Sequence, residues 1–200
     1  MTTIGWIGTG NMASAIIRGI TQKTQDYTMA AYSPNLAGKT DFPAQKLTSA
    51  AAVAKVSDIL FLAVKPYKMA EVLEEIKDVL KPETLVVSIA VSLTLDWYAE
   101  RLGQGVPIVR TLPNTCAAVG EGFTALTFNA KVTEAQKQQV ISLFAMTGKT
   151  AVIEEAQMNA VSALTGSTPA LIYMVIEAMA DAAVKHGIPR AQAYAMAAQA

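Results

Sequence analysis

The chain has 200 residues, with 16 lysines and arginines against 16 aspartates and glutamates. That balance leaves no basic face for nucleic acid and no charged face for a membrane surface, so neither partner is expected. The single cysteine, Cys116, excludes an internal disulfide framework and a multi-thiolate metal site. No metal is expected, and a cytoplasmic location is the default for such cysteine usage.

The length suits one sizeable core, or one domain with part of another. Residues 1–20 have no basic segment ahead of an apolar run, so no signal peptide is expected. The longest uncharged stretch, Ala156 to Ile176, contains Gln157, Asn159, Ser162, Thr165, Gly166 and Pro169. It reads as too polar and too broken for a membrane span.

Strand and helix signals alternate over the first three quarters of the chain. Ile4–Ile7 reads as a strand, followed by a glycine turn and a helix from Ser14 to Ile20. Thr28–Tyr32 reads as a second strand, ending at Ser33-Pro34-Asn35. Ile59–Val64 is apolar throughout, as a central parallel strand covered on both faces should be, and Lys65-Pro66 stops it. A helix is predicted over Met69–Leu80, with Pro82 beyond its end. The strand Leu85–Ile89 follows, then a helix Thr94–Leu102 with Gly103 just past its end. Ile108–Leu112 and Gly122–Phe128 read as strands, Thr133–Met146 as a helix and Thr150–Ile153 as a last strand. This alternation predicts an α/β fold, a Rossmann-type doubly wound sheet over residues 1–154. Ligands of such sheets bind beyond the carboxyl ends of the strands.

Gly8-Thr9-Gly10-Asn11-Met12-Ala13 occupies the first such position and matches the G-x-G-x-x-A turn that holds a dinucleotide pyrophosphate. Gly8 permits the tight turn, Gly10 lets phosphates approach the backbone, and Ala13 lets the helix pack close to the strand. Free N–H groups and the positive end of the helix dipole then face the anion. NAD-preferring folds place a carboxylate at the end of the second strand for the ribose 2′-hydroxyl. Here Ser33 and Asn35 can instead donate hydrogen bonds to a 2′-phosphate, with Lys39 near in sequence. The expected cofactor is therefore NADPH, with NADH possible.

The pattern changes near residue 155. Residues 155–200 read as helical, with Pro169 opening a helix that runs to His186 and ends at Gly187 and Pro189. Between Leu171 and Val184 the only charged residues are Glu177 and Asp181; Lys185 follows, and all three lie on one stripe. A helix apolar over the rest of its surface must be buried. Either a helix beyond residue 200 covers it or a second subunit does; the exposed-patch rule favours the subunit. Arg190–Ala200 carries no stop signal, so further residues of this domain are expected beyond it.

Taken together, these stretches resemble the pyrroline-5-carboxylate reductase family. The likeness follows the whole chain in order through Ile7–Met12, Ser33-Pro34-Asn35, Phe61–Pro66, Arg110–Thr115, Gly120-Glu121-Gly122 and Leu164–Ala170. It ends with Glu177–Val184 and Gly187–Arg190. The resemblance implies NADPH-dependent reduction of 1-pyrroline-5-carboxylate to L-proline, the last step of proline biosynthesis. It implies a Rossmann domain followed by a helical domain that dimerises, alone or within a higher oligomer of dimers. The family's cofactor contacts fall on Ile7, Gly8, Thr9, Gly10, Asn11, Met12, Ser33, Asn35, Ala63, Val64, Lys65, Pro66 and Ala90. Its substrate-proximal positions fall on Asn114, Gly166 and Ser167. No catalytic residue is assigned; Ser167 is a candidate by position alone. The chain departs from the family pattern at Thr168, where glycine is usual, and at Cys116, where proline is usual. The family's Pro-Gly-Gly-Thr-Thr-like substrate segment would lie beyond Ala200.

Lys65 follows a strand and could act as an acid, but with Pro66 it more readily shapes the turn. His186 reads as a cation at a helix C-terminus, and Cys116 as a packing residue with no histidine near it in sequence. Two other readings stay open. One is a β-hydroxyacid dehydrogenase-like enzyme, against which counts the absence of lysine between Lys149 and Lys185. The other is a dinucleotide-binding regulatory module without turnover.

Overall fold

Eight strands form one sheet in the computed structural model, which describes residues 1–36, 38 and 42–200. They are β1 (Thr2–Ile7), β2 (Tyr27–Tyr32), β3 (Gln45–Lys46), β4 (Ile59–Leu62), β5 (Leu85–Ser88), β6 (Ile108–Pro113), β7 (Gly122–Phe128) and β8 (Gly148–Val152). Their order is β3-β2-β1-β4-β5-β6-β7-β8. The first six run parallel, β7 is antiparallel to β6, and β8 is parallel to β7. The order of the six parallel strands is that of the Rossmann sheet, and the winding reverses between β1 and β4.

The sheet is covered on both faces because its strands alternate apolar side chains with period two. Ile4, Trp6, Ile59, Phe61, Leu85 and Val87 pack towards α1 (Asn11–Lys23) and α5 (Glu134–Ala145). Ile7, Leu60, Leu62 and Val86 pack on the other face, towards α2 (Ala50–Val56), α3 (Pro66–Ile76) and α4 (Leu95–Leu102). Trp6 and Phe61 are cross-strand neighbours whose rings stack at 3.9 Å beside the winding reversal.

Several boundaries move from their predicted positions for local reasons. α1 starts at Asn11 rather than Ser14, so the second half of the glycine motif is already helix. α3 starts at Pro66, three residues before the expected Met69, so the residue that stops β4 also opens a helix. Proline at the first helical position loses no intrahelical hydrogen bond, so it can end one element and open the next. β8 begins at Gly148, two residues before the predicted strand. β3 and α2 were not predicted: two residues and seven residues are too short to show a period. α2 is set by Ser49, whose side chain accepts the Ala52 N–H.

The chain divides into two compact units, residues 1–159 and 160–200. A helical run extends unbroken from Glu155 to Lys185 through a 3₁₀ turn, α6 (Met158–Val161), a π turn at Ser162–Gly166 and α7 (Ser167–Lys185). Pro169 therefore does not open the helix; it is the third residue of α7. Proline lacks an N–H and crowds the carbonyl of Thr165, four residues back, and the widened π turn at that point absorbs the disruption. For the same reason Gly166-Ser167 is helical backbone rather than a turn, and Thr168 restricts no loop. α7 ends where Gly187 adopts φ +91°: its N–H reaches Val184 O and the Ile188 N–H reaches Ala183 O, the paired bonds of a Schellman stop. Arg190, at the start of α8 (Arg190–Gln199), pairs with Asp181 of α7.

Unbroken, the Glu155–Lys185 run meets the length and composition of a membrane crossing: an 18-residue window has mean hydropathy 1.3 and is 6% buried. The polar residues and Pro169 within Ala156–Ile176, expected to break such a span, do not interrupt the helix. A soluble helix awaiting a protein partner meets the same criteria.

Asp58 ties two strand ends together, accepting the Thr3 N–H at 2.8 Å and Lys81 Nζ at 3.0 Å. The Thr3 N–H first, and Lys81 after it, hold its carboxyl below the ordinary value against the opposing push of partial burial. A depressed folded pKa adds stability above the unfolded value of about 4, and that stability is lost as pH falls through the folded value. The melting temperature of Asp58→Asn should fall below the wild type's near neutral pH, and the two curves should converge in acid.

Candidate functional site

The residues after β1, β2, β4, β5 and β6 share one edge of the sheet, because parallel strands all end on the same side. Backbone bonds join these ends across the winding reversal. The Gly8 N–H donates to Tyr32 O at 2.8 Å, Ala63 N–H to Ile7 O at 2.8 Å and Ile89 N–H to Leu62 O at 3.2 Å.

The two glycines of the turn do different work. Gly8 has φ +97°, and a Cβ there would stand 2.5 Å from Ala63 O; the chain's own packing demands glycine. Gly10 has ordinary extended backbone, and a Cβ there would meet nothing within 4 Å. Its missing side chain keeps clear a space that this chain does not use. α1 starts behind that space with no side-chain cap and no acidic residue in its first turn. The first intrahelical bond runs from the Ser14 N–H to Gly10 O at 2.9 Å, so the N–H groups of Asn11, Met12 and Ala13 precede the helical ladder. That is the geometry of an anion site. Thr9 is buried within it, and Ser14 Oγ donates to Thr9 O at 3.2 Å.

After β2, the Leu36 N–H bonds back to Ser33 O at 2.9 Å, with Leu36 buried beneath the turn. Ser33 is half-buried and Asn35 exposed; neither they nor Pro34 bring a carboxylate. Lys39 lies outside the described residues. After β4, Ala63 and Val64 are half-buried, while Lys65 is exposed and caps α3 ahead of Pro66.

The turn after β5 is fastened from below. The Ala90 N–H donates to Ser88 Oγ at 3.1 Å, and Ser88 Oγ lies 2.5 Å from the Tyr98 hydroxyl. Burial pushes that phenol up to about 12, against the opposing effects of Ser88 and Arg110, so it stays protonated. The next residue, Val91, offers its carbonyl to Arg110 Nη2. Arg110 projects from β6 with a side chain only 5% exposed, and its Nη1 meets Glu155 Oε1 at 3.0 Å. Its Nε has no hydrogen-bond partner among the described residues. Glu155 Oε1 also accepts the Leu95 N–H at 2.8 Å. Sequence reading assigned no role to Ser88, Tyr98, Arg110 or Glu155. One signal was present: an arginine inside the apolar strand Ile-Val-Arg-Thr-Leu.

Asn114, at the end of β6, is buried and accepts the Phe123 N–H on Oδ1 at 3.0 Å. The sheet edge thus brings together Gly8–Met12, Ser33, Ala63–Pro66, Ala90 and Asn114. Gly166 and Ser167 lie in the second unit, on exposed helical backbone. His186 caps the end of α7 in an exposed position, and Cys116 is half-buried in a 3₁₀ turn. A groove of about 650 Å³ runs beside α1 past Arg18, Val119 and Met146, and meets the glycine turn only at Asn11. In the second unit, Leu171, Tyr173 and Met174 of α7 are each more than half exposed.

Residues 155–200 match the family described as pyrroline-5-carboxylate reductase dimerisation, and residues 3–92 match NADP oxidoreductase coenzyme F420-dependent. The chain is 44% identical to a pyrroline-5-carboxylate reductase of Escherichia coli (strain K12), over 98% of this chain and 76% of that protein. It is 36% identical to one from Methanosarcina acetivorans, over 98% and 75%. A crystal structure of Plasmodium falciparum pyrroline carboxylate reductase with NADP bound superposes with a TM-score of 0.91 at 31% identity, covering 99% of this chain and 75% of that one.

The difference between the two glycines can be measured by melting. Gly8→Val should destabilise the fold by about 3 kcal/mol or more, since backbone cannot yield as a side-chain tip can. Gly10→Val should melt within a degree or two of wild type (roughly the ±0.5 kcal/mol of a surface change).

Proposed function

The chain belongs to the pyrroline-5-carboxylate reductase family, and we propose that it reduces 1-pyrroline-5-carboxylate to L-proline with NADPH, the last step of proline biosynthesis. The observation that carries this reading is the cleared space at Gly10, ahead of the uncapped, carboxylate-free start of α1.

The residues fit a dinucleotide. Gly8 sets the turn, and the N–H groups of Asn11 and Met12 receive the pyrophosphate in the positive field of α1. Ser33 and Asn35 donate to a 2′-phosphate where a carboxylate would repel it; NADH remains compatible, with fewer bonds. Ile7, Thr9 and Ala63–Pro66 line the crevice, and Ala90 supports its nicotinamide end. When bound, the reduced nicotinamide supplies a hydride to the C=N carbon of the substrate. Asn114, Gly166 and Ser167 serve the substrate side. A cyclic imine that arrives protonated is already an electrophile, so the chain needs no strong general acid, and Ser167 is a contact rather than a proton donor. Alcohol oxidation by a β-hydroxyacid dehydrogenase route needs a base, and no lysine occurs between Lys149 and Lys185 to supply one.

The family match over residues 155–200 supports self-association. In our reading the association is a dimer, alone or within a larger assembly of dimers. The apolar surface of α7 is then covered by a second subunit rather than by lipid, and the enzyme works in the cytoplasm.

In the full chain, NADPH and 1-pyrroline-5-carboxylate together should cause loss of the reduced-nicotinamide absorbance; no loss overturns the reading. Gly10→Val should abolish NADPH binding in a titration. Ser33→Glu should weaken NADPH about tenfold or more, one repulsive contact of ~1.4 kcal/mol, while leaving NADH nearly unchanged. Met174→Glu should shift the sedimentation of the protein towards monomer, because a charge would enter a desolvated surface.

A further inference from the structure

We propose that Arg110, oriented by Glu155, is a positioning residue that fixes the Ala90–Val91 turn for hydride transfer. This rests on the reductase reading above.

Two peptide groups of that turn, on either side of the Ala90–Val91 bond, are held by buried side chains. Ser88 takes the Ala90 N–H, and Arg110 takes the Val91 carbonyl. The guanidinium fork spans two directions at once, one terminal nitrogen to Val91 and the other to Glu155 at 3.0 Å. Glu155 in turn binds the Leu95 N–H at 2.8 Å, so the pair grips the loop at both of its ends, Val91 and Leu95. A lysine, with one point charge, cannot hold both partners in a planar fork.

Stability alone does not account for this arrangement. Arg110 is almost fully buried and leaves Nε without a partner among the described residues. Burying such a group is unfavourable, and an apolar side chain of similar volume is often neutral or stabilising in its place. What the fork adds is orientation. The turn stands at the carboxyl end of β5, on the edge where the nicotinamide is read to lie. Hydride transfer is sensitive to misplacement on the scale of an ångström. Glu155 itself lies in the short 3₁₀ turn that follows β8, within the same unit as the sheet.

Arg110→Met and Glu155→Gln test the assignment in the full chain. Amide hydrogen exchange at residues 90–92 should quicken about tenfold or more, while exchange in β4 is unchanged. The kcat for NADPH oxidation should fall roughly 10- to 100-fold, with the KM for NADPH within about twofold and a larger isotope effect from deuterated NADPH. Arg110→Lys should recover part of the loss. A purely structural arginine predicts the opposite for Arg110→Met: normal kcat and unchanged exchange. If Arg110→Met does not fold, Glu155→Gln carries the same readouts, since its side chain is 29% exposed and its shape is kept. Unchanged exchange at 90–92, or unchanged kcat, overturns the proposal. A wild type that does not oxidise NADPH refutes the reductase reading instead, and the exchange comparison still decides whether Arg110 holds the turn.

Discussion

The close approach of Gly8 to the carbonyl of Ala63 is the constraint on which the rest of the first unit depends. It brings the end of β1 against the end of β4, where the winding of the sheet reverses. The same segment is tied to β2 through Tyr32 and to β4 through Ile7, so the turn has no freedom to relax. Trp6 and Phe61 stack immediately behind it and anchor both strands in the core. A rigid turn then aims α1, whose first N–H groups open onto the space that Gly10 leaves clear. Packing therefore demands one glycine of the motif, while the other leaves an open space ahead of α1.

Beyond the turn, the edge is built by side chains that support backbone. Ser88, Tyr98, Arg110 and Glu155 are polar groups placed in or beside an apolar layer, and each is bonded to a main-chain group or to another of the four. Three of their bonds fall on main-chain groups of Ala90, Val91 and Leu95, in and at the end of the loop after β5, which has no regular structure of its own between Ser88 and Leu95. Unpaired polar atoms in such a layer are costly, so groups of this kind persist where orientation matters.

The second unit obeys a different physics. α7 is apolar on most of its surface and exposes that surface among the described residues. A single helix hairpin cannot bury both of its faces; here α7 and α8 bury Ala180 and Ala193, and the Schellman stop at Gly187 and the Arg190–Asp181 pair set the turn between them. The match of residues 155–200 to a dimerisation family supports self-association. A membrane-length run and a subunit interface share the same composition, and burial by a partner is what separates them.

The sequence alone determined what depends on nearest neighbours along the chain. Short runs bounded by turn residues, apolar throughout in Ile59–Val64, marked every strand except the two-residue β3. The glycine motif marked the strand–turn–helix unit, and Thr94, Gly103 and Thr133 marked helix ends, because caps act within a turn of backbone. It failed where one residue serves two elements, as Pro66 does, and where an irregular turn rescues a proline, as at Ser162–Gly166. Only the tertiary structure decided which glycine is obligatory for the chain itself, since that rests on Ala63, 55 positions away. The same holds for the Arg110–Glu155 pair, whose members stand 45 residues apart and meet because β6 and the turn after β8 converge on one loop. Local pattern records propensity; it can flag a charge in an apolar strand, as at Arg110, but not the partner that the sheet's winding brings to it.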